Sequence, residues 1–288
     1  MLFQKFLHRV FRPRWQIGFM VTPLTEAIKG TALTFEWVKN PYRDGWLADP
    51  FVLNVSDEVI DLLVEDFRYD DGKGRISKVT VDRQPMEITA RTVLLEGGHY
   101  SFPAILRRDG KIFVYPEQSR RGRLELFEYE PDREECRLVG TVAEEPLTDA
   151  VMYEGVMFST RLPEPNGKRL YSFKVMMPSV GTGEKGDGNR PEYSGGIAGI
   201  REYVFGECIA RNAGDFLECE GKVYRPAQEC NRWYGNALSI QQMENETFTE
   251  VRRIRGLHTL NACQGVTVVD RKVFPFKWLY WLSGQSDL

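Results

Sequence analysis

Cysteine and histidine are scarce in this chain. Its 288 residues hold five cysteines (Cys136, Cys208, Cys219, Cys230 and Cys263), an odd number with no C-x-x-C pair. That pattern argues against a disulfide framework and a zinc knuckle, and reduced thiols make a cytoplasmic location the expectation. Three histidines, His8, His99 and His258, are too few for a His-rich metal centre. No apolar run approaches the roughly 18 residues of a membrane span. Neither sign of charge dominates, since 38 basic residues stand against 41 acidic ones. Bulk attraction to nucleic acid is therefore not expected. With 42% hydrophobic and 27% charged residues, disordered and collagen-like architectures are excluded as well.

The N-terminus lacks the apolar core and small-residue cleavage site of a secretory leader. Its apolar residues fall at about helical spacing, with Lys5, Arg9, Arg12 and Arg14 between them. Residues 1–14 read as a basic amphipathic segment that lies on the domain or touches an anionic membrane surface or a partner. Residues 15–288 read as one domain.

Long helical patterns are missing, and period-2 patterns take their place. Phe51–Val55, Val59–Val64, Ile112–Tyr115 and Leu124–Tyr129 read as strands, separated by turn signals such as Asp70-Asp71-Gly72 and Arg108-Asp109-Gly110. The chain is all-β.

The strands recur in a unit: a small or polar dipeptide, an apolar strand, a tight turn, and a second strand ending on polar residues. Copies open at Ala48-Asp49, Ser101-Phe102, Thr148-Asp149, Ala213-Gly214 and Gly256-Leu257-His258. A spacing of about 45–65 residues is that of propeller blades of four strands each. Five copies predict a five-bladed β-propeller, whose blade openings converge on one axial funnel. The Gly-rich stretch at about 178–199 reads as an insertion, and it does not match a phosphate-binding GxxxxGK[ST] loop. The last copy is too short for four strands, so Trp15–Val21 and Thr34–Trp37 are expected to pair with it and close the ring.

The Ala48-Asp49-Pro50-Phe51 opening resembles the first blade of the five-bladed glycosidase superfamily of arabinanases, xylosidases, invertases and levansucrases. An ordered set of further motifs covers residues 15 to about 270. It includes Trp15 to Phe19, Gly72 to Ile76, Tyr115-Pro116-Glu117, Tyr224 to Cys230, Tyr234-Gly235 and Gly256 to Thr259. Through them the chain resembles the N-terminal propeller domain of glucosamine inositolphosphorylceramide transferases and related bacterial polysaccharide-synthesis proteins.

This resemblance implies a carbohydrate or sugar-nucleotide ligand and a site built on carboxyl groups. Glycoside cleavage needs one carboxyl to protonate the leaving oxygen and another as base or nucleophile. The resemblance assigns the base or nucleophile to Asp49 and the tuning of the acid to Asp149. It places His258 beside the channel, where a water or a single divalent cation has room; no other cofactor is implied. The family's acid opens blade four, where this chain has Asn212-Ala213-Gly214. Replacement acids are Glu65, Glu117 and Glu229, each ending a second strand, and Glu117 and Glu229 are the leading candidates. Arg225 and Gln228 lie beside Glu229, with Arg225 suited to clamping a carboxylate or phosphate. Trp46, Tyr100 and Tyr234 are candidate sugar-stacking aromatics. Each of these residues has a structural alternative: Asp49 capping a strand, Asp149 tying blades together, Arg225 bracing its own blade. The function expected first is a carbohydrate-active enzyme of glycoside hydrolase-like type, cleaving or transferring a glycosyl group in the funnel. The alternative is a non-catalytic glycan-binding or scaffolding propeller assisting a glycosyltransferase in polysaccharide or glycolipid synthesis.

Overall fold

The structure, a computed structural model, describes residues 14–176 and 197–274. The basic segment, apart from Arg14, and most of the expected insertion lie outside the described residues. Positions 197–199 begin a strand rather than ending a loop.

The described strands form five four-stranded antiparallel sheets, the blades of a propeller. The chain begins with β1 (Arg14–Met20), a short helix α1 (Leu24–Lys29) and β2 (Phe35–Trp37). Blade one is β3 (Gly45–Val55), β4 (Val59–Arg68), β5 (Gly74–Asp82) and β6 (Glu87–Leu95). Blade two is β7 (Ser101–Arg108), β8 (Lys111–Glu117), β9 (Leu124–Glu130) and β10 (Glu135–Ala143). Blade three is β11 (Leu147–Tyr153), β12 (Val156–Arg161), β13 (Arg169–Val175) and β14 (Ile197–Val204). Blade four is β15 (Leu217–Cys219), β16 (Lys222–Glu229), β17 (Ala237–Glu244) and β18 (Thr247–Arg255).

Blade five has only β19 (Leu260–Cys263) and β20 (Val266–Val273) from its own region. The N-terminus completes it, in the order β19-β20-β1-β2. β1 pairs with β20 from Arg14↔Val273 to Phe19↔Val268, and β2 pairs with β1. The closing strands are those expected from the sequence. Without them β20 would present an open edge.

Burial explains the hydrophobic pattern. A second strand is packed on both faces by neighbouring blades, so β4 runs Leu62, Leu63, Val64 without alternation, and all three are fully buried. Outer strands such as β18 expose most of their residues.

Three blades open on the same distortion. Ala48 pairs with Glu65 and Phe51 with Leu63, so Asp49 and Pro50 together oppose one residue. Ser101↔Glu117 with Ala104↔Tyr115 does the same in blade two, and Thr148↔Thr160 with Val151↔Phe158 in blade three. Each is a β-bulge, with Asp49 (φ 49°), Phe102 (φ 44°) and Asp149 (φ 44°) in the left-handed region. The bulge turns a backbone N–H away from its own ladder and towards the preceding blade. Asp49 N–H donates to Asp270 Oδ2 in blade five, Phe102 N–H to Asp49 Oδ2 in blade one, and Asp149 N–H to Glu117 Oε2 in blade two. Carboxyl side chains thereby become the axial joints between blades.

Candidate functional site

The bulges and the ends of the second strands gather five carboxyl groups at the axis: Asp49, Glu65, Glu117, Asp149 and Asp270. The positive charge set against them comes from Arg211, just before the blade-four opening. Its Nε donates to Asp149 Oδ2 at 2.5 Å, and one Nη donates to both Asp149 Oδ1 and Glu117 Oε2 at 3.1 Å. Its other Nη donates to Asn166 Oδ1 at 2.9 Å. Gln228 Nε2 adds a bond to Asp149 Oδ2 at 2.6 Å, and Ser119 Oγ donates to Glu117 Oε1 at 2.7 Å. On the other side of the axis, His258 Nδ1 lies 3.1 Å from Asp270 Oδ2 and 3.4 Å from Asp49 Oδ1. Asp270 Oδ1 accepts from both the N–H and the hydroxyl of Thr259.

Five acids cannot all ionise around one guanidinium in a low-dielectric interior, and their environments sort them. Burial opposes charge on Glu117, yet Arg211 and the bonds from Asp149 and Ser119 hold it below the usual carboxylate range. Burial likewise opposes charge on Asp270, and His258, Asp49 N–H and Thr259 outweigh it. Asp149 shares Arg211 with Glu117 and loses: burial and the Glu117 charge push it up to about 7 despite the guanidinium. Burial, then the charges of Asp270 and Glu65, raise Asp49 well above its ordinary value. Burial, then Glu117 and Asp149, do the same to Glu65.

Aromatic side chains cover the His258 side. The Trp15 ring lies 4.2 Å from the imidazole and the Tyr234 ring 4.7 Å, centroid to centroid. Trp46 meets Trp15 edge-on at 6.3 Å and stacks on Phe67. Gly235, at φ 75°, follows Tyr234 so closely under Trp15 that a Cβ would come within 2.6 Å of that indole.

The structure thus brings Asp49, Glu65, Glu117, Asp149, Gln228 and His258 to the axis, with Trp46 and Tyr234 beside it. Three other candidates sit elsewhere. Arg225 is fully buried inside blade four, where its guanidinium donates to the Ile209 and Ala210 carbonyls, Asn212 Oδ1 and Gln241 Oε1. Burial without a carboxylate partner lowers it to about 9. Glu229 accepts from Asn231 N–H and Asn236 Nδ2, bracing the turn that leads to Tyr234. The phenol of Tyr100 is held by Arg121, and its ring packs on Phe127. The parity of β16 accounts for Arg225 and Glu229: residues 225, 227 and 229 share one face, and Gln228 points from the other to Asp149.

Among the described residues, Asp49, His258 and Asp270 offer ligand atoms within 4.8 Å of one another. A cation held through His258 Nδ1 and Asp270 Oδ2 would have to replace the hydrogen bond between them. Only Asp49 Oδ1 and His258 Nε2 of this group are buried without a partner.

Sequence reasoning missed Arg211, Asp270 and Trp15 as site residues. Arg211 stands at the blade-four opening, where the family resemblance calls for an acid and not a cation. Asp270 lies in the second strand of its blade, as Glu65 and Glu117 do in theirs, so the acids of the second strands are the signal that points to it. Trp15 lies in a motif that the sequence marks as a closing strand, and nothing in that pattern shows its ring reaching His258.

No protein-family model matches the chain. It is similar to glucosamine inositolphosphorylceramide transferase 1 of rice (Oryza sativa subsp. indica), with 23% identity over 219 residues, 74% of this chain and 28% of the relative. The protein of the same name from Arabidopsis thaliana is 25% identical over 75% of this chain and 28% of its own length. The chain therefore spans little more than a quarter of these curated relatives. Among solved structures, an exo-β-1,3-galactanase from Clostridium thermocellum superposes with a TM-score of 0.49 at 11% identity, over 75% of this chain and 50% of that one.

Proposed function

We propose that the chain is a glycan-binding propeller that holds a glycosyl group at its axis in support of glycosyl transfer, and that the axis does not itself cleave glycosides. The observation that carries this reading is the Arg211 clamp on Asp149 and Glu117. A glycosidase needs one free ionised carboxylate and one free protonated carboxyl. Here Glu117 is ionised but saturated with hydrogen bonds, and Asp149 is tied to Arg211 and Gln228. Asp49 and Asp149 also have visible work as joints between blades. The names of the plant relatives support a link to glycosyl transfer, and the matched region is a minor part of them. Contact with a transferase or an anionic membrane through residues 1–14 belongs to the same proposal.

The enzymatic reading keeps one specific support. Asp49 lies in the blade-one bulge and Glu65 pairs with Ala48 just before it, and among the described residues neither carboxyl is bonded to an arginine or lysine. In that reading Asp49 is base or nucleophile and Glu65, rather than Glu117 or Glu229, is the acid. Ligand-observed NMR with a panel of methyl glycosides and sugar nucleotides tests the proposal. Saturation transfer from the protein to at least one glycoside supports it; no transfer across the panel refutes it.

A further inference from the structure

Glu65 differs from every other carboxyl at the axis. Asp270 receives four hydrogen bonds, Glu117 three, and Asp149 is clamped by Arg211 and Gln228. Asp49 accepts from Phe102 N–H. The Glu65 carboxyl has neither hydrogen bond nor ion pair among the described residues, although the residue is only 7% exposed. Its place is nevertheless made for it. A Cβ at residue 74 would overlap both Glu65 Oε1 and the Tyr100 carbonyl oxygen. Gly74 is not in the left-handed region, so its missing side chain serves space rather than backbone conformation. The carboxyl is seated by shape and left chemically unspent.

The groups around it decide its state. Glu117 faces it from blade two, Asp149 from blade three and Asp270 from blade five, while Arg211 of blade four is the cation within reach. Asp49, its neighbour in blade one, is raised partly by Glu65 itself. Arg211 is already committed to Glu117 and Asp149. A second negative charge in this setting is disfavoured, so the proton stays on, and a protonated carboxyl is a hydrogen-bond donor as well as an acceptor. The same excess of acid repels anionic groups.

We propose that Glu65 is the hydrogen-bond donor by which the axial site recognises its ligand, giving its proton to an oxygen acceptor of a neutral glycosyl group (a hydroxyl, ring or glycosidic oxygen). This rests on the reading of the axis as a glycan site and names the contact that reading requires. It also states which sugars are excluded: uronic acids and sugar phosphates presented directly to Glu65 should bind worse than their neutral counterparts.

The experiment is a titration of the full chain with the methyl glycoside that gives the strongest NMR saturation transfer, followed from pH 5 to pH 9. Three variants, Glu65→Gln, Glu65→Ala and Gly74→Ala, are measured beside the wild type, each checked for folding by circular dichroism. Wild-type affinity should fall at least 10-fold as Glu65 ionises. Glu65→Gln retains an N–H donor, so it should bind within about 3-fold of wild type at pH 6 and lose most of the alkaline fall. Glu65→Ala should lose at least 10-fold at pH 6, and Gly74→Ala, which displaces the carboxyl, should lose a similar amount. Carboxyl 13C shifts of Glu65 give a ligand-free readout. Wild-type binding that Glu65→Ala leaves unchanged, or a Glu65 shift that titrates in the ordinary carboxylate range, overturns this proposal alone. No binding by the wild type overturns it together with the glycan-binding reading.

Discussion

Asp49 and Asp270, 221 positions apart, are joined at 3.0 Å by a hydrogen bond from the Asp49 N–H to the Asp270 carboxylate. The bond ties the first blade to the last at the axis, inside the seam that β1 closes at the rim. It exists because a bulge frees the Asp49 N–H and because Asp270 is kept ionised by His258 and Thr259. Ring closure and the electrostatics of the candidate site are therefore one structure.

Replacing that acceptor should be costly. Asp270→Asn puts an amide where a carboxylate receives donors on both oxygens, leaving a buried donor facing a donor. A loss of about 2–4 kcal/mol is expected from denaturant unfolding at pH 7. The folded carboxylate is held below its ordinary range, so its contribution is present above the unfolded pKa and fades as pH falls through the folded value. The variant should accordingly lie closest to wild type at the acid end of a pH series. An unchanged midpoint at pH 7 would contradict the assigned role.

Arg211 should matter for stability in the same way. Arg211→Met keeps the bulk and leaves Asp149 and Glu117 buried without their cation. A loss of about 3–5 kcal/mol at neutral pH is expected, since breaking one partner of a buried pair strands the others. The deficit should shrink on acidification as both carboxyls take up protons. A pH-independent deficit would point to lost packing instead.

Glu65→Gln should do the reverse. A carboxyl raised by burial contributes stability that is complete below its unfolded pKa and is lost as pH rises through the folded one. The glutamine does not ionise, so the variant should match wild type near pH 4 and become the more stable of the two at pH 8. Thermal unfolding at both values checks the sign, and a wild type more stable at pH 8 would contradict it.

The clasp gives a prediction independent of the axis. A Cβ on Gly18 would come within 2.6 Å of Trp37 and 2.9 Å of the Glu36 carbonyl oxygen, between the two closing strands. Gly18→Val should weaken β1–β2 pairing and cost about 2 kcal/mol, with the loosened protection centred on residues 14–20 and 266–273. Hydrogen exchange reads this directly, and protection lost first in blade three would refute it.

Much of this was legible in the sequence. Period-2 runs and Asp-Gly turns located the strands, and the shortness of the last unit called for strands from the N-terminus. The Asp49 and Asp149 openings stood out because a polar residue before an apolar strand recurs at blade spacing. What stayed hidden depends on register. Whether Gln228 or Glu229 faces the axis is a matter of one residue of parity in β16, and the blade-four opening is too irregular to count through: Asn212 forms an isolated bridge with Ala227, and β15 begins only at Leu217. Arg211 was hidden for a chemical reason. A hydrolase requires a carboxyl near that position, and the residue present neutralises carboxyls instead of supplying one.

The central claim is that the axis binds a glycosyl group without cleaving it, and prolonged incubation at saturation tests this most directly. Purified chain at high concentration is incubated with the bound methyl glycoside, and products are followed by 1H NMR over days beside the Asp49→Asn variant. The account predicts bound glycoside and no released sugar from either protein. Released sugar from the wild type that Asp49→Asn abolishes, with binding retained, would contradict it and establish Asp49 in catalysis.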